Sequence, residues 1–413
     1  IWFDEGLKFI EKNQDQPFFC YLSTNAPHSP FNVPEKYRAY YEYENIPNEM
    51  KRFFGMISNV DENIGVLMEK LQEWQLAENT ILLFTTDNGT ARGFNYDREN
   101  EEWYGFNAGM RGKKGSQYDG GHRVPMFMRW PRGKWQAGTD FGELTAHVDM
   151  LPTLASLCGL DFDPPNKLDG QDISAWLTSD DKPSKRYLIT DTQRLIWPQK
   201  GKASCVMSTQ WRLVNGNELY DIQADPGQEN NLADQYPDLV GEMNAFYEEW
   251  WTEVEKEFEN SPIVLGSEAQ NPTFLACHDV IASERVAWNQ NMIRRGIYSQ
   301  GGYYQVEVEQ AGNYRFSLYR WPPSSQLTLG MGSPDGQAGT SSTSAVPDGA
   351  ILPIRSAALK VAGQALAADA NPGQAAVSFE LPLEAGKTQL EANFLLANGD
   401  RMDAYYVEVE RIQ

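Results

Sequence analysis

Three short stretches of this chain bring together side chains that could do chemistry. Residues 110–125 read MRGKKGSQYDGGHRVP, a glycine-flanked loop centred on Lys113 and Lys114. Residues 85–89 read TTDNG, so Asp87 and Asn88 close an apolar run, and residues 25–28 read NAPH, which puts His28 just after another. A lysine taken out of water is costly unless an anion compensates it. Adjacent carboxylate and amide oxygens suit a hard cation, and a following glycine lets the backbone turn sharply behind them. A histidine can donate a proton to a departing alkoxide near neutral pH. Cation, metal-ligand oxygens and proton donor together are the equipment for hydrolysing an anionic ester. Each has a plainer reading when taken alone: Asp-Asn-Gly is a common turn, the lysines could be solvated, and a lone histidine is more often structural. Their joint occurrence favours chemistry.

The elements that must position these residues alternate between strand and helix. Residues 17–22 and 81–86 are short apolar runs suited to strands buried on both faces, with 124–130 a third. Residues 50–73 carry Phe53, Phe54, Ile57, Val60, Ile64, Leu67, Met68 and Leu71 near helical spacing, and 148–157 and 1–7 also read as helical. This alternation implies an α/β domain, its largely parallel sheet flanked by helices. The candidate residues then fall beyond strand ends, where open α/β sheets bind ligands. Short strands at 187–192, 203–208, 211–214 and 218–221, followed by an acidic, aromatic-rich helix over 237–258, read as a small antiparallel α+β subdomain. From 261 onward the chain is mostly β. Segments 303–309 and 313–320 are expected to pair as a hairpin, 375–381, 388–396 and 404–411 are further strands, and 332–349 is a loop. The expected domains are 1–184, 185–260 and 261–413, the last a sandwich-like module.

Composition narrows the partners. A net charge of −22 repels nucleic acid and anionic membranes alike. It would also repel an anionic polymer at long range, so such a substrate needs a locally positive pocket. No apolar run is long enough to span a bilayer. The four cysteines form neither a disulfide framework nor a zinc motif.

At KGSQYDGG, TTDNG and NAPHSP the chain closely resembles the sulfatase family, whose fold is that of alkaline phosphatase: a mixed sheet flanked by helices. The segment 219–233, with LYD and DPGQENNLA, is very like the small C-terminal subdomain of sulfatases. The resemblance implies that Asp87 and Asn88 bind a divalent ion, calcium or alternatively magnesium. It also implies that Lys114 contacts the sulfate group and that His28 lies near the ester oxygen. The spacing to Tyr118-Asp119-Gly120-Gly121 selects Lys114 over Lys113. Arg123 orients the loop or pairs with Asp119, His122 lines the pocket rim, and His147 packs or caps a helix. Trp103, Trp197, Trp288 and Trp321 could stack on sugar rings, although packing is the simpler role for each.

The family's nucleophile motif, Cys-or-Ser-x-Pro-x-Arg, occurs nowhere in the 413 residues. The resemblance therefore implies a sulfatase lacking the N-terminal part that would carry a formylglycine, further metal-binding aspartates and any signal peptide. Such a chain is expected to be inactive as it stands, and its setting periplasmic or extracellular. The expected reaction is release of sulfate from a sulfated carbohydrate or aryl sulfate. Two alternatives stand beside it: a phosphatase or phosphodiesterase of the same superfamily, disfavoured by the scarcity of histidines, and a non-catalytic carbohydrate-binding relative. The oligomeric state is not legible.

Overall fold

The computed structural model of the chain describes residues 1–97, 102–133, 135, 137–177, 185–283 and 285–412. It falls into two compact units: Ile1–Glu257 with Ser341–Thr343, and Phe258–Thr340 with Ser344–Gln413. The expected boundary at 184/185 adjoins residues 178–184, which lie outside the described ones.

In the first unit the periodic segment forms the helix Asn48–Glu73, burying Met50, Phe53, Met56, Leu67 and Leu71. It ends where Gln75 takes a left-handed backbone (φ 60°). The helix Trp2–Asn13 packs Ile10 against Leu67 and Leu71. Residues 17–22 do not form the buried strand expected of them. Phe18, Cys20 and Leu22 pack on that same cluster, but Phe19 is 77% and Tyr21 80% exposed. Alternating burial without a hydrogen-bonded neighbour leaves the segment extended but outside any sheet.

Strand β1 (Leu82–Thr85) leads to the Asp87 loop. A hairpin of β2 (Phe94–Asp97) and β3 (Glu102–Gly105) follows, then β4 (Met126–Arg129). β1 pairs with β4 antiparallel, Leu82 opposite Arg129. The described strands of this region therefore do not form the parallel sheet inferred from alternation, because alternation constrains connection lengths, not the direction of a neighbour. β5 (Leu188–Asp191), β6 (Ser204–Met207), β7 (Trp211–Val214) and β8 (Glu218–Asp221) make a sequential antiparallel sheet, as their spacing predicts. The helix Pro237–Val254 buries Met243, Tyr247 and Trp251.

The second unit is strand-rich. β9 (Ile263–Leu265), β10 (Thr273–Ala276), β11 (Tyr304–Val308), β12 (Gly312–Tyr319) and β13 (Ile354–Val361) are joined by β14 (Gln364–Asp369), β15 (Ala376–Leu383), β16 (Gly386–Leu396), β17 (Arg401–Asp403) and β18 (Tyr406–Arg411). They form a four-stranded sheet, β10-β18-β12-β15, and a six-stranded sheet, β14-β13-β16-β11-β9, with β17 on β16. Phe316 and Val407 of one sheet share a core with Leu359, Leu390 and Phe394 of the other. β11 and β12 are not the hairpin expected from their pattern. They lie in different sheets, the chain switching layers near Ala311, and inward-outward alternation is the same for a hairpin and for a sandwich corner. No helix among the described residues is long and apolar enough to cross a membrane.

Candidate active site

Two loops of the first unit are stitched together by glycines. Gly89 N–H donates to the Gly121 carbonyl (3.0 Å), and Lys114 N–H donates to the Thr90 carbonyl (2.9 Å). A Cβ on Gly89 would lie 2.0 Å from the Gly120 carbonyl oxygen, so glycine is required there by close approach of two backbones. Asn107 holds the start of the second loop, its Nδ2 donating to the carbonyls of Met110 (3.0 Å) and Gly112 (2.6 Å).

The two adjacent lysines have different surroundings. Lys113 Nζ donates to Asn95 Oδ1 at 2.6 Å, and burial pushes its pKa down. Lys114 lines a cavity of about 480 Å³ with Gly115, Thr192 and Ala203, and among the described residues no ion pair engages it. The cavity's far wall is held by Thr192, whose N–H donates to the Ala203 carbonyl (3.0 Å).

Beneath the lysine loop lies a buried polar support, of which the sequence indicated only the pairing of Arg123 with Asp119. Asp119, 1% exposed, accepts from Arg212 Nε (2.7 Å) and faces Arg123 at 3.5 Å. Its N–H donates to Gln228 Oε1 (2.9 Å). Arg111 donates to the Gln228 carbonyl (2.9 Å) and lies over the Tyr118 ring, 3.9 Å from its centroid. The support thus ties the loop to β7 and to the DPGQEN turn. Arg212 carried no motif, so only its position opposite Asp119 reveals its part. His122 is not on a rim: it is largely buried, its Nε2 donating to the Gln117 carbonyl (3.2 Å). Burial pushes its pKa below the ordinary imidazole value, partly offset by Asp119.

Asp87 is exposed and lies just past β1, after Thr86. Asn88 donates its Nδ2 to the Gly89 carbonyl (2.9 Å), which leaves Oδ1 free to act as a ligand. His147 comes close to this pair: its Nε2 donates to the Thr86 carbonyl at 2.8 Å. Its place is set by Asp149, fully buried, which accepts from the Ala146 and Gln171 amides and forms a bidentate pair with Arg186 (3.0 and 3.1 Å). His147 was read only as packing or capping. The only local signal in the sequence was an acid two residues on, Asp149, which accepts from the Ala146 amide and fixes the turn. His28 lies on an exposed turn, its Nδ1 donating to the Ser29 carbonyl (2.8 Å), which leaves Nε2 as the ring atom without a described partner. Asp87, Asn88 and Lys114 thus sit on joined loops, whereas no described hydrogen bond links His28 to them. Of the aromatic candidates, Trp103 is exposed and stacked on Phe94 (4.7 Å between centroids), and Trp197 and Trp288 are exposed. Trp321 is buried, 5% exposed.

Residues 1–160 match the family described as Sulfatase, and residues 112–245 match the family described as N-sulphoglucosamine sulphohydrolase, C-terminal. An N-acetylgalactosamine-6-O-sulfatase of Bacteroides thetaiotaomicron is 29% identical over 285 residues, 60% of this chain and 52% of that protein. An ulvan-active sulfatase of Formosa agariphila is 25% identical over 290 residues, 63% of this chain and 53% of that protein. The crystal structure of Ps i-CgsB in complex with k-i-k-neocarrahexaose superposes with a TM-score of 0.50 at 27% identity, over 60% of this chain and 53% of that one. The chain spans about half the length of the relatives it matches. On the two family matches and these relatives, the chain belongs to the sulfatase family of the alkaline phosphatase-like superfamily.

Proposed function

We propose that this chain recognises a sulfate ester on a carbohydrate and serves in its hydrolysis. The observation that carries the reading is Lys114: a cation with no ion pair among the described residues, in a cavity, on a loop joined to the oxygen donors of Asp87 and Asn88. The names of the relatives, an N-acetylgalactosamine-6-O-sulfatase and an ulvan-active sulfatase, support a sulfated saccharide as the substrate class.

In this reading Lys114 Nζ binds a sulfate oxygen and offsets its charge, the kind of fixed electrostatic contact that lowers a barrier when charge develops. His28, protonated at Nε2, delivers a proton to the departing alcohol oxygen. His147 acts through the Thr86 carbonyl and so orients the Asp87 loop without touching substrate. Asp87 and Asn88 supply two hard oxygen donors, the right chemistry for calcium or magnesium. Two are fewer than the six or so ligands such ions take. Among the described residues no group of three or more His, Cys, Asp or Glu side chains converges as a metal cluster. These residues therefore fit as part of a ligand set, and a bound cation would neutralise sulfate charge at this place. A formylglycine, which the resemblance implies, would supply the nucleophile, and the 413 residues contain no motif for one.

The purified chain is expected to bind p-nitrophenyl sulfate and to release no sulfate from it. Absence of binding would overturn the recognition reading, and release at an enzyme-like rate would overturn the reading that these 413 residues lack the nucleophile.

A further inference from the structure

The cavity beside Lys114 holds more positive charge than one sulfate needs. Arg194 and Lys202 line it too, with Gly115, Thr192, Gln193 and Leu195 between them. The three cations come from two segments brought together by backbone contacts: Thr192 Oγ1 donates to the Gly115 carbonyl (3.5 Å), and an added Cβ on Gly115 would lie 3.5 Å from Arg194 Nη2. No carboxylate lines the cavity, and among the described residues no ion pair engages Lys114, Arg194 or Lys202. Two acids, Asp191 on the second segment and Glu248 on the helix Pro237–Val254, are engaged elsewhere. Asp191 accepts from the Gln193 backbone and side-chain amides (3.3 and 3.0 Å), and Glu248 pairs with Lys200. Among the described residues the Nζ of Lys202 donates to a neutral partner, Gln199 Oε1 at 3.3 Å.

Uncompensated cations gathered in one cleft are unusual in a chain of net charge −22, where carboxylates outnumber them on the surface at large. Like charges held together repel, and the arrangement is relieved when anions enter. The same loop exposes Leu195, Ile196 and Trp197 next to Arg194, apolar surface of the kind that meets the C–H face of a sugar ring.

We propose that Arg194 and Lys202 form a second anion subsite, so that the preferred substrate is a saccharide carrying another negative group, sulfate or carboxylate, near the ester held by Lys114. This rests on the reading of Lys114 given above. Arg194 offers a planar fork that matches either oxyanion, and Lys202 a point charge. They are specificity-determining residues and take no part in bond breaking.

The test uses the full chain and three probes: a monosulfated hexose, the same hexose disulfated, and that monosulfated hexose joined to a uronic acid. Dissociation constants are measured by calorimetry for the parent chain, Arg194→Gln, Lys202→Gln, Arg194→Glu and Lys114→Gln. The parent is expected to bind at least one doubly charged probe about tenfold more tightly than the monosulfated one. Which of the two it prefers identifies the second group as sulfate or carboxylate. Arg194→Gln and Lys202→Gln each remove most of that preference, and Arg194→Glu abolishes it, while all three leave the monosulfated probe within about twofold. Both residues are exposed, so folding is not at stake. A parent chain without the preference, or variants that keep it, overturns the subsite. If Lys114→Gln leaves every probe unchanged while the Arg194 and Lys202 variants lose the preference, the subsite stands and the sulfate reading of Lys114 falls.

Discussion

At the scale of single residues, neighbours in sequence are assigned different work by what surrounds them. Lys113 is spent on Asn95, and Lys114 is left with a cavity. His28, His122 and His147 each give one ring nitrogen to a backbone carbonyl, and of the three it is His122 that is largely buried. The burial of His122 has a consequence for stability. Its folded pKa is depressed, so the unfolded chain binds the proton more readily and protonation favours unfolding. The stability it contributes is complete above the unfolded value of about 6.5 and is lost as pH falls from there toward the lower folded value. Melting of the parent chain is expected to drop between pH 7.5 and 5.5 by more than that of His122→Gln. Equal drops in the two proteins would show that other groups govern this window.

At the scale of elements, the site is a pair of loops held on a buried support. Asp119 and Arg212 are both almost fully buried, so losing one partner leaves the other charged in a poor solvent. Arg212→Ala is expected to destabilise the first unit by about 3 kcal/mol, read as a lower urea midpoint, because exposed Arg123 at 3.5 Å compensates poorly. An unchanged midpoint would mean the support is dispensable. Much of this level was legible beforehand. The 48–73 helix and β5 to β8 announce themselves by period and spacing, and the loop residues by their clustering. Arg212, Gln228 and Arg186 were not legible, because a buried ion pair joins positions far apart in the chain and leaves no local pattern. Segment 17–22 misled because a continuous apolar run looks alike whether both faces are covered or only one. Likewise β11 and β12 gave the same alternation that a hairpin would.

At the scale of the whole molecule, two facts pull in opposite directions. The net charge of −22 disfavours any anionic ligand at a distance, and a cleft lined by Lys114, Arg194 and Lys202 favours one at contact. Short-range contact decides affinity and long-range repulsion mainly slows approach. The acidic whole therefore does not contradict the proposed sulfated substrate, whose recognition would rest on the Lys114 cleft. The strand-rich second unit has its own core.

The most direct test of the account compares p-nitrophenyl sulfate affinity in Lys114→Ala, Lys113→Ala and the parent chain, measured by titration calorimetry. A lost hydrogen bond to a charged group costs about 1.5 kcal/mol or more, so Lys114→Ala should bind at least about tenfold more weakly. Lys113→Ala should bind within about twofold of the parent. Equal affinity in Lys114→Ala and the parent, or a loss found only in Lys113→Ala, would contradict the assignment of sulfate recognition to Lys114.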